Sequence, residues 1–420
     1  MEERQEVNIW HNLGILAVLF CGGAFMYLLP YCKNTYYVPL MQALHVNNTQ
    51  LGMMGSAFGI SAMLSYLPGG WLADRISARR LMALALFLTG LGGYCLSFYP
   101  PYAVCLLLHV LWGITTAIFF GALVKTIRNL ANVSQQGKAF GFFEGGRGLA
   151  FSSMMTIALA LFAIMGSSTA GLRDLILFYS TVTTAFSIVL WFSLRDDRRN
   201  ANGGTTWLQV VQILKLPHVW LIALFTFCSY APLVALLFIA PFTTVVYGGS
   251  VVLGASLAIA AQYVRPLASS GAGLLADRIG SSRVSLYGMI LVSISLFSIA
   301  LAPGGKSHII MLVLMCLALY LSMYCVYAMN YALLEEGDIP KDICGTAVGI
   351  IATLGYLPDV LVPVMGGRLL DLFPGARGYE YIFTAIAIIA AAGICIMLYW
   401  LRLTAGKRAI LSHRFEDAGL

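Results

Sequence analysis

Apolar residues fall along this chain in long blocks, and polar residues gather in the short stretches between them. Twelve blocks can be cut: 12–40, 50–72, 80–98, 102–126, 139–165, 174–194, 218–246, 251–275, 284–303, 308–334, 345–366 and 381–402. Each is long enough for a helix across a hydrocarbon core about 30 Å thick. The pattern therefore predicts an all-α membrane protein with twelve transmembrane helices. Most connections are short turns, several carrying Gly, Pro or Asn.

The longest gap, 195–217, holds Arg195, Asp196, Asp197, Arg198, Arg199 and the pair Gly203-Gly204. It reads as a cytoplasmic linker between a six-helix half over 1–194 and a second over 218–420. Trp207 to Leu214 within it is weakly amphipathic and suits the membrane surface. Basic residues alternate between loops. With both termini inside, 18 Lys and Arg face the cytoplasm and four face out: Arg173, Lys306, Arg368 and Arg377. That asymmetry fixes the expected orientation.

One stretch punctuates both halves. Gly69-Gly70-Trp71-Leu72-Ala73-Asp74-Arg75-Ile76-Ser77-Ala78-Arg79-Arg80 returns as Gly271-Ala272-Gly273-Leu274-Leu275-Ala276-Asp277-Arg278-Ile279-Gly280-Ser281-Ser282-Arg283, the two Asp residues 203 positions apart. Small residues let helices approach closely before a tight turn. A carboxylate where an apolar span meets water can pair with a cation or cap the next helix. At these residues the chain resembles the major facilitator superfamily of secondary transporters, whose loop signature runs G-x-L-a-D-R-x-G-R-R. Gly70, Leu72, Asp74, Arg75, Arg79 and Arg80 match it, as do Gly273, Leu275, Asp277, Arg278, Gly280 and Arg283; Ser77 stands where the family usually has Gly. The resemblance implies two pseudo-symmetric six-helix halves around a central cavity. It also implies alternating access, with Asp74, Arg75, Arg79, Asp277, Arg278 and Arg283 as conformational latches.

Composition agrees. Apolar residues make up 60% of the chain and charged residues 10%, with a mean hydropathy of +0.84, where a soluble domain carries about 25% charged residues. The net charge of +7 is spread over loops rather than gathered in a nucleic-acid-binding patch. The nine cysteines show no metal-ligand spacing or disulfide framework, so free thiols are expected. Met1 to Asn8 is polar and mostly acidic, unlike a cleavable signal peptide.

Ionisable residues inside a bilayer are costly and mark function. Five stand out. Arg265 lies 12 residues before Asp277, roughly 18 Å along a helix and so near mid-membrane, and Pro266 follows it. It is a candidate for solute contact or for an ion pair with Asp359. Arg147 lies nine residues past Lys138, again near mid-membrane. Glu144 shares its helix face, and either neutralises it or orients it and carries a proton. Asp359, in Gly355-Tyr356-Leu357-Pro358-Asp359, is the other candidate proton carrier, because burial favours a neutral carboxyl. Lys33 follows Pro30 in a block too long for one upright span. It either snorkels to the outer surface or lines the cavity from a broken helix. Tyr27 to Pro39 loosely resembles the first helix of the organophosphate and organic-anion branch, which places a cation there, usually Arg. Lys33 cannot make the bidentate contact an Arg would.

Tyr320, Tyr324, Tyr327 and Tyr331 recur at helical spacing, so one face of the tenth helix is a tyrosine stripe. Tyr324, Tyr327 and Tyr331 join Arg265, Arg147 and Lys33 as candidate solute contacts. His109 sits where many exporters of the family carry Arg, and reads as packed and hydrogen-bonded. Gly141 to Gly148 keeps two glycines of the exporter fifth-helix motif but has Gly146 for its proline, against a drug/proton antiporter.

The expected protein is a secondary active transporter in the cell membrane. Its solute is a small organic anion (phosphate, carboxylate or sulfonate). The alternatives are a neutral sugar or amphiphile on the Tyr face, and a membrane sensor, which the short linker and the 18-residue tail after Arg402 disfavour. No nucleophile–base spacing, P-loop or zinc motif points to an enzyme, a cofactor or a metal. The expected partners are the solute and the lipid bilayer, with the chain a monomer.

Overall fold

In lipid the backbone must satisfy its own hydrogen bonds, so apolar blocks of this length become helices. The computed structural model describes residues 13–130, 136–194, 215–330, 332–337 and 344–405, and every regular element among them is helical. The first half contains α1 (Leu13–Phe25), α2 (Cys32–Thr35), α3 (Tyr37–Leu44), α4 (Asn48–Arg75), α5 (Ala78–Leu96), α6 (Tyr102–Asn129), α7 (Gln136–Ile164) and α8 (Thr169–Ser193). The second contains α9 (Pro217–Ala235), α10 (Ile239–Val245), α11 (Val251–Ile279), α12 (Ser281–Leu301), α13 (Ile309–Met329), α14 (Leu333–Glu336), α15 (Cys344–Gly355), α16 (Pro358–Leu372) and α17 (Ala376–Leu403). Among the described residues, nine helical stretches from Tyr102 onward are long and apolar enough to cross a membrane. The broken segment α1–α3, the 28-residue α4 and the 19-residue α5 complete twelve spans in two six-helix halves. The 195–217 linker falls mostly outside the described residues.

Three spans are broken, each beside a proline. The first block leaves helical geometry after Phe25 and resumes at Cys32, with Pro30 in the gap. In the seventh, Pro232 precedes a 3-10 turn over Leu236–Phe238 before α10. In the eleventh, α15 ends at Gly355 and α16 opens on Pro358. A proline supplies no backbone N–H and is best tolerated in a first turn. Asp359 is thereby placed in the first turn of α16, where the helix dipole favours a carboxylate.

The described residues pack as two compact units. The first takes in Met1–Asn202, Leu237–Tyr263 and Pro363–Asp371. Its core holds Leu19, Met82, Leu86, Phe119, Leu123, Phe143 and Leu190. α4 runs against α6, α5 against α8, and α1 against α7. A Cβ on Gly69 would stand 3.2 Å from the Ala117 carbonyl oxygen, and one on Gly121 3.3 Å from that of Gly69. Close approach therefore explains Gly69. It does not explain Gly70, Gly271 or Gly273, which have nothing within 4 Å of a built Cβ.

The N-terminus of α4 is closed twice. Asn47 and Gln50 form a reciprocal capping box, which satisfies two otherwise orphan backbone donors. Asp371, on α16, accepts from the Asn48 N–H (3.2 Å) and Nδ2 (2.8 Å), and from the Thr49 N–H (2.8 Å) and Oγ1 (2.5 Å).

The second unit takes in Gly203–Leu236, Val264–Val362 and Leu372–Leu420. α12 packs on α17 and α13, and α9 on α17 and α15. Buried Glu336 accepts from the Ser282 N–H at the start of α12 (3.1 Å) and from Trp400 Nε1 (3.2 Å).

The two copies of the Asp loop turn differently. Gly280 takes φ 91°, a left-handed conformation that suits glycine. Ser77 sits at φ −60°, ψ 138° after an extended Ile76. Serine is thus accommodated by a different path of the turn.

Candidate functional site

The second unit gathers charge and aromatic rings around the tyrosine stripe. α11 remains helical through Pro266 and carries Arg265, half-buried. Its guanidinium carbon lies 5.9 Å from the Tyr324 ring centre and 5.7 Å from that of Tyr327. Both distances are within cation–π range. Tyr320 and Tyr324 are fully buried, and Tyr327 is half-buried. Tyr331 lies outside the described residues.

Asp359 joins the same cluster. Tyr230 of α9 donates its hydroxyl to Asp359 Oδ2 at 3.0 Å. The Tyr230 ring lies 4.6 Å from that of Tyr356 and 6.0 Å from that of Tyr327. The Tyr327 and Tyr356 hydroxyls stand 3.4 Å apart. Next to Tyr230, Ser229 donates to Asn330 Oδ1 at 3.0 Å. Sequence reasoning missed Tyr230 and Tyr356 as site residues. The available signal was their position beside Pro232 and Pro358: broken helices line cavities more often than straight ones do.

The first unit holds the other candidates. Arg147 donates from Nη2 to Glu144 Oε2 at 2.7 Å, the contact expected from i, i+3 spacing. The Arg147 side chain is 19% exposed and that of Glu144 43%. The guanidinium also lies 5.8 Å from the rings of Tyr27 and Phe143. Lys33 is only 4% exposed and donates to the Pro30 carbonyl at 2.9 Å. It lies 5.5 Å from the Tyr31 ring and 5.9 Å from Phe58. Burial rules out snorkelling in this structure. The break in the first span frees the carbonyl that receives it. Tyr27 and Tyr31, 5.3 Å apart, connect the surroundings of Arg147 and Lys33. His109 is buried, with Nδ1 2.8 Å from the Cys105 carbonyl and its ring 4.9 Å from Trp112; it is packed and hydrogen-bonded.

At the loop motifs, the Arg75 guanidinium lies 4.0 Å from the Trp71 ring, and that of Arg79 4.3 Å from Trp191. Lys125 of α6 donates to the Ala73 carbonyl at 2.7 Å. Arg278 and Arg283 are exposed. The side chains of Asp74 and Asp277 lie outside what the structure describes. Among the described residues no cluster of His, Cys, Asp and Glu is able to hold a metal.

The sequence profile of the Major Facilitator Superfamily matches residues 13–363. Inner membrane protein YihN of Escherichia coli K12 is 28% identical over 415 residues, 96% of this chain and 98% of the relative. The probable galactarate/D-glucarate transporter GudP of Bacillus subtilis 168 is 22% identical over 408 residues, 89% of this chain and 88% of its own length. Among solved structures, a bacterial homolog of the human lysosomal transporter Spinster, inward-facing and occupied, superposes with a TM-score of 0.75. It is 14% identical and covers 94% of this chain and 97% of that one. That likeness is one of fold. The chain belongs to the Major Facilitator Superfamily. It is a multi-pass membrane transporter of a small-molecule solute, not an enzyme.

Proposed function

We propose that this protein carries a small organic anion (a phosphate, carboxylate or sulfonate) across the inner membrane by alternating access. One observation carries the reading. A half-buried guanidinium, Arg265, stands against Tyr324 and Tyr327 in the middle of an apolar helix. A cation at that depth is expensive unless it is used, and a guanidinium suits planar oxyanions. Tyr331 extends the same face by sequence. Two relatives support the proposal: YihN is named for the inner membrane and GudP for two organic anions.

In this reading Arg147 and Lys33 supply further positive charge from the first half. Asp359 and Glu144 exchange protons during the cycle. The loops of Asp74, Arg75 and Arg79 and of Asp277, Arg278 and Arg283 latch alternate states on the cytoplasmic side, where both termini lie. Residues 1–194 and 218–420 move as the two halves of a monomer, joined by the 195–217 linker.

The test is uptake into proteoliposomes by purified protein, with a panel of organic anions, with and without a pH gradient, beside Arg265→Ala. Accumulation of an anion by the wild type and its loss in the variant is the expected result. Equal transport of neutral solutes by both proteins, with no anion moved, would overturn the reading and leave Arg265 as a packing residue.

A further inference from the structure

We propose that Asp371 holds shut an outer gate by bonding the start of α4 from α16. The gate lies on the side of the membrane opposite the Asp74 and Asp277 loops. The inference rests on the alternating-access reading above and its orientation, and assigns a residue to one step of the cycle.

The first compact unit does not follow the sequence halves. It takes in Leu237–Tyr263 and Pro363–Asp371 from the second half, which carry α10, the start of α11 and most of α16. α4 begins at Asn48 and ends in the Asp74 motif, and α11 begins at Val251 and ends in the Asp277 motif. The starts of both helices therefore lie opposite those loops, on the outer side in the proposed orientation.

There α16 and α4 meet backbone to backbone. A Cβ on Gly52 would overlap the Pro363 carbonyl oxygen, and one on Gly367 that of Asn48. At the rim, Asp371 accepts its four bonds from Asn48 and Thr49. Asn48 extends the contact. Its Oδ1 accepts from the Tyr37 hydroxyl at 3.1 Å, and the Tyr37 ring lies 6.2 Å from that of Phe238, just before α10. Farther along, the hydroxyls of Thr156 on α7 and Tyr263 on α11 stand 2.9 Å apart in a hydrogen bond. Spans of the two sequence halves are thus joined at three places. Alternating access opens each side in turn, so these contacts must part in one state.

Their chemistry suits parting. The bonds to Asp371 are exposed, so water replaces them at small net cost. The glycine faces let the backbones approach closely with no interlocking side chains to separate. The Thr35 hydroxyl, beside Tyr37, Ala240 and Thr244, is buried with no hydrogen-bond partner. That is unfavourable, and opening the seam returns it to water. Asp371, with four donors, supplies attraction on the closed side.

The probe is Thr35→Cys, labelled in spheroplasts by a membrane-impermeant maleimide that reaches only the outer face. Protein without this substitution gives the background from native thiols. The labelling rate follows the population of the open state. Adding Asp371→Ala is expected to raise it about fivefold, the effect of one lost cap. Gly367→Ala forces the same seam from a second point and should raise it too. Asn47→Ala is the control. It removes the other cap of α4, whose bonds stay within that helix, and should leave the rate unchanged. Thermal unfolding verifies that each variant is folded. If neither Asp371→Ala nor Gly367→Ala raises labelling, the seam is static and the inference is overturned. The same holds if Asn47→Ala raises it as much as Asp371→Ala, because fraying of α4 would then account for the rise. A rise confined to inside-out vesicles would overturn the orientation, and with it the outer gate. The anion reading is judged separately by the uptake assay above.

Discussion

The seam between α4 and α6 makes the sharpest quantitative prediction. A Cβ added at Gly113 would overlap the Ser61 Oγ and the Phe58 carbonyl oxygen, and would stand 2.8 Å from the Ala62 backbone nitrogen. Two of these three atoms are backbone and cannot rotate away. The third is tied to the Phe58 carbonyl by a 3.0 Å hydrogen bond. Relief requires the helices to separate. Overpacking of this kind costs about 1–3 kcal/mol. Replacing Gly by Ala in a helix returns about 1 kcal/mol of propensity, so Gly113→Ala should lose up to about 2 kcal/mol net. Gly70, on the same α4, has nothing within 4 Å of a built Cβ. Gly70→Ala should therefore be neutral or gain up to about 1 kcal/mol. The assay is thermal unfolding in detergent at one scan rate, followed by tryptophan fluorescence. With about 2–4 °C of Tm per kcal/mol, Gly113→Ala should melt several degrees below wild type and Gly70→Ala at or above it. A Gly113→Ala protein that melts as high as Gly70→Ala would refute the reasoning, because the full propensity gain would then appear and the seam would open at no cost.

Two further perturbations follow from single contacts. Asp371→Ala removes the acceptor for four donors at the start of α4. The site is solvent-exposed, so the loss should be about 1 kcal/mol, the value of a cap with a dipole contribution. Hydrogen exchange at Asn48, Thr49 and Gln50 should accelerate about fivefold, and unchanged exchange would show that Asn47 suffices alone. Glu336→Ala leaves the Ser282 N–H and Trp400 Nε1 buried without their acceptor, at a cost of about 2–3 kcal/mol. A melting temperature within a degree of wild type would show that these donors find other partners.

Much of the architecture was legible in one dimension. The bilayer tests each stretch of about 20 residues for length and apolarity, and that test needs no knowledge of neighbours. It delivered the helical class and the twelve spans. The duplicated Asp74 and Asp277 motifs delivered the family. Local spacing also sufficed for one pair: Glu144 and Arg147 meet because i and i+3 share a helix face. Pro30 correctly marked a broken first span.

Other outcomes depended on which backbone approaches which. Gly69 and Gly70 are neighbours in the same motif, yet only Gly69 meets the Ala117 carbonyl closely. Nothing local distinguishes them, since helix rotation decides. Lys33 was open between surface and cavity, and a carbonyl freed by the helix break received it. Tyr230 and Asp359 are 129 positions apart, and Asp371 and Asn48 are 323 apart. The apolar pattern places all four in or beside spans but is blind to their partners. Hydrophobic burial is non-directional and can be read from composition along the chain. Hydrogen bonds and close backbone contacts are directional and short-ranged, so only the packed helices assign them.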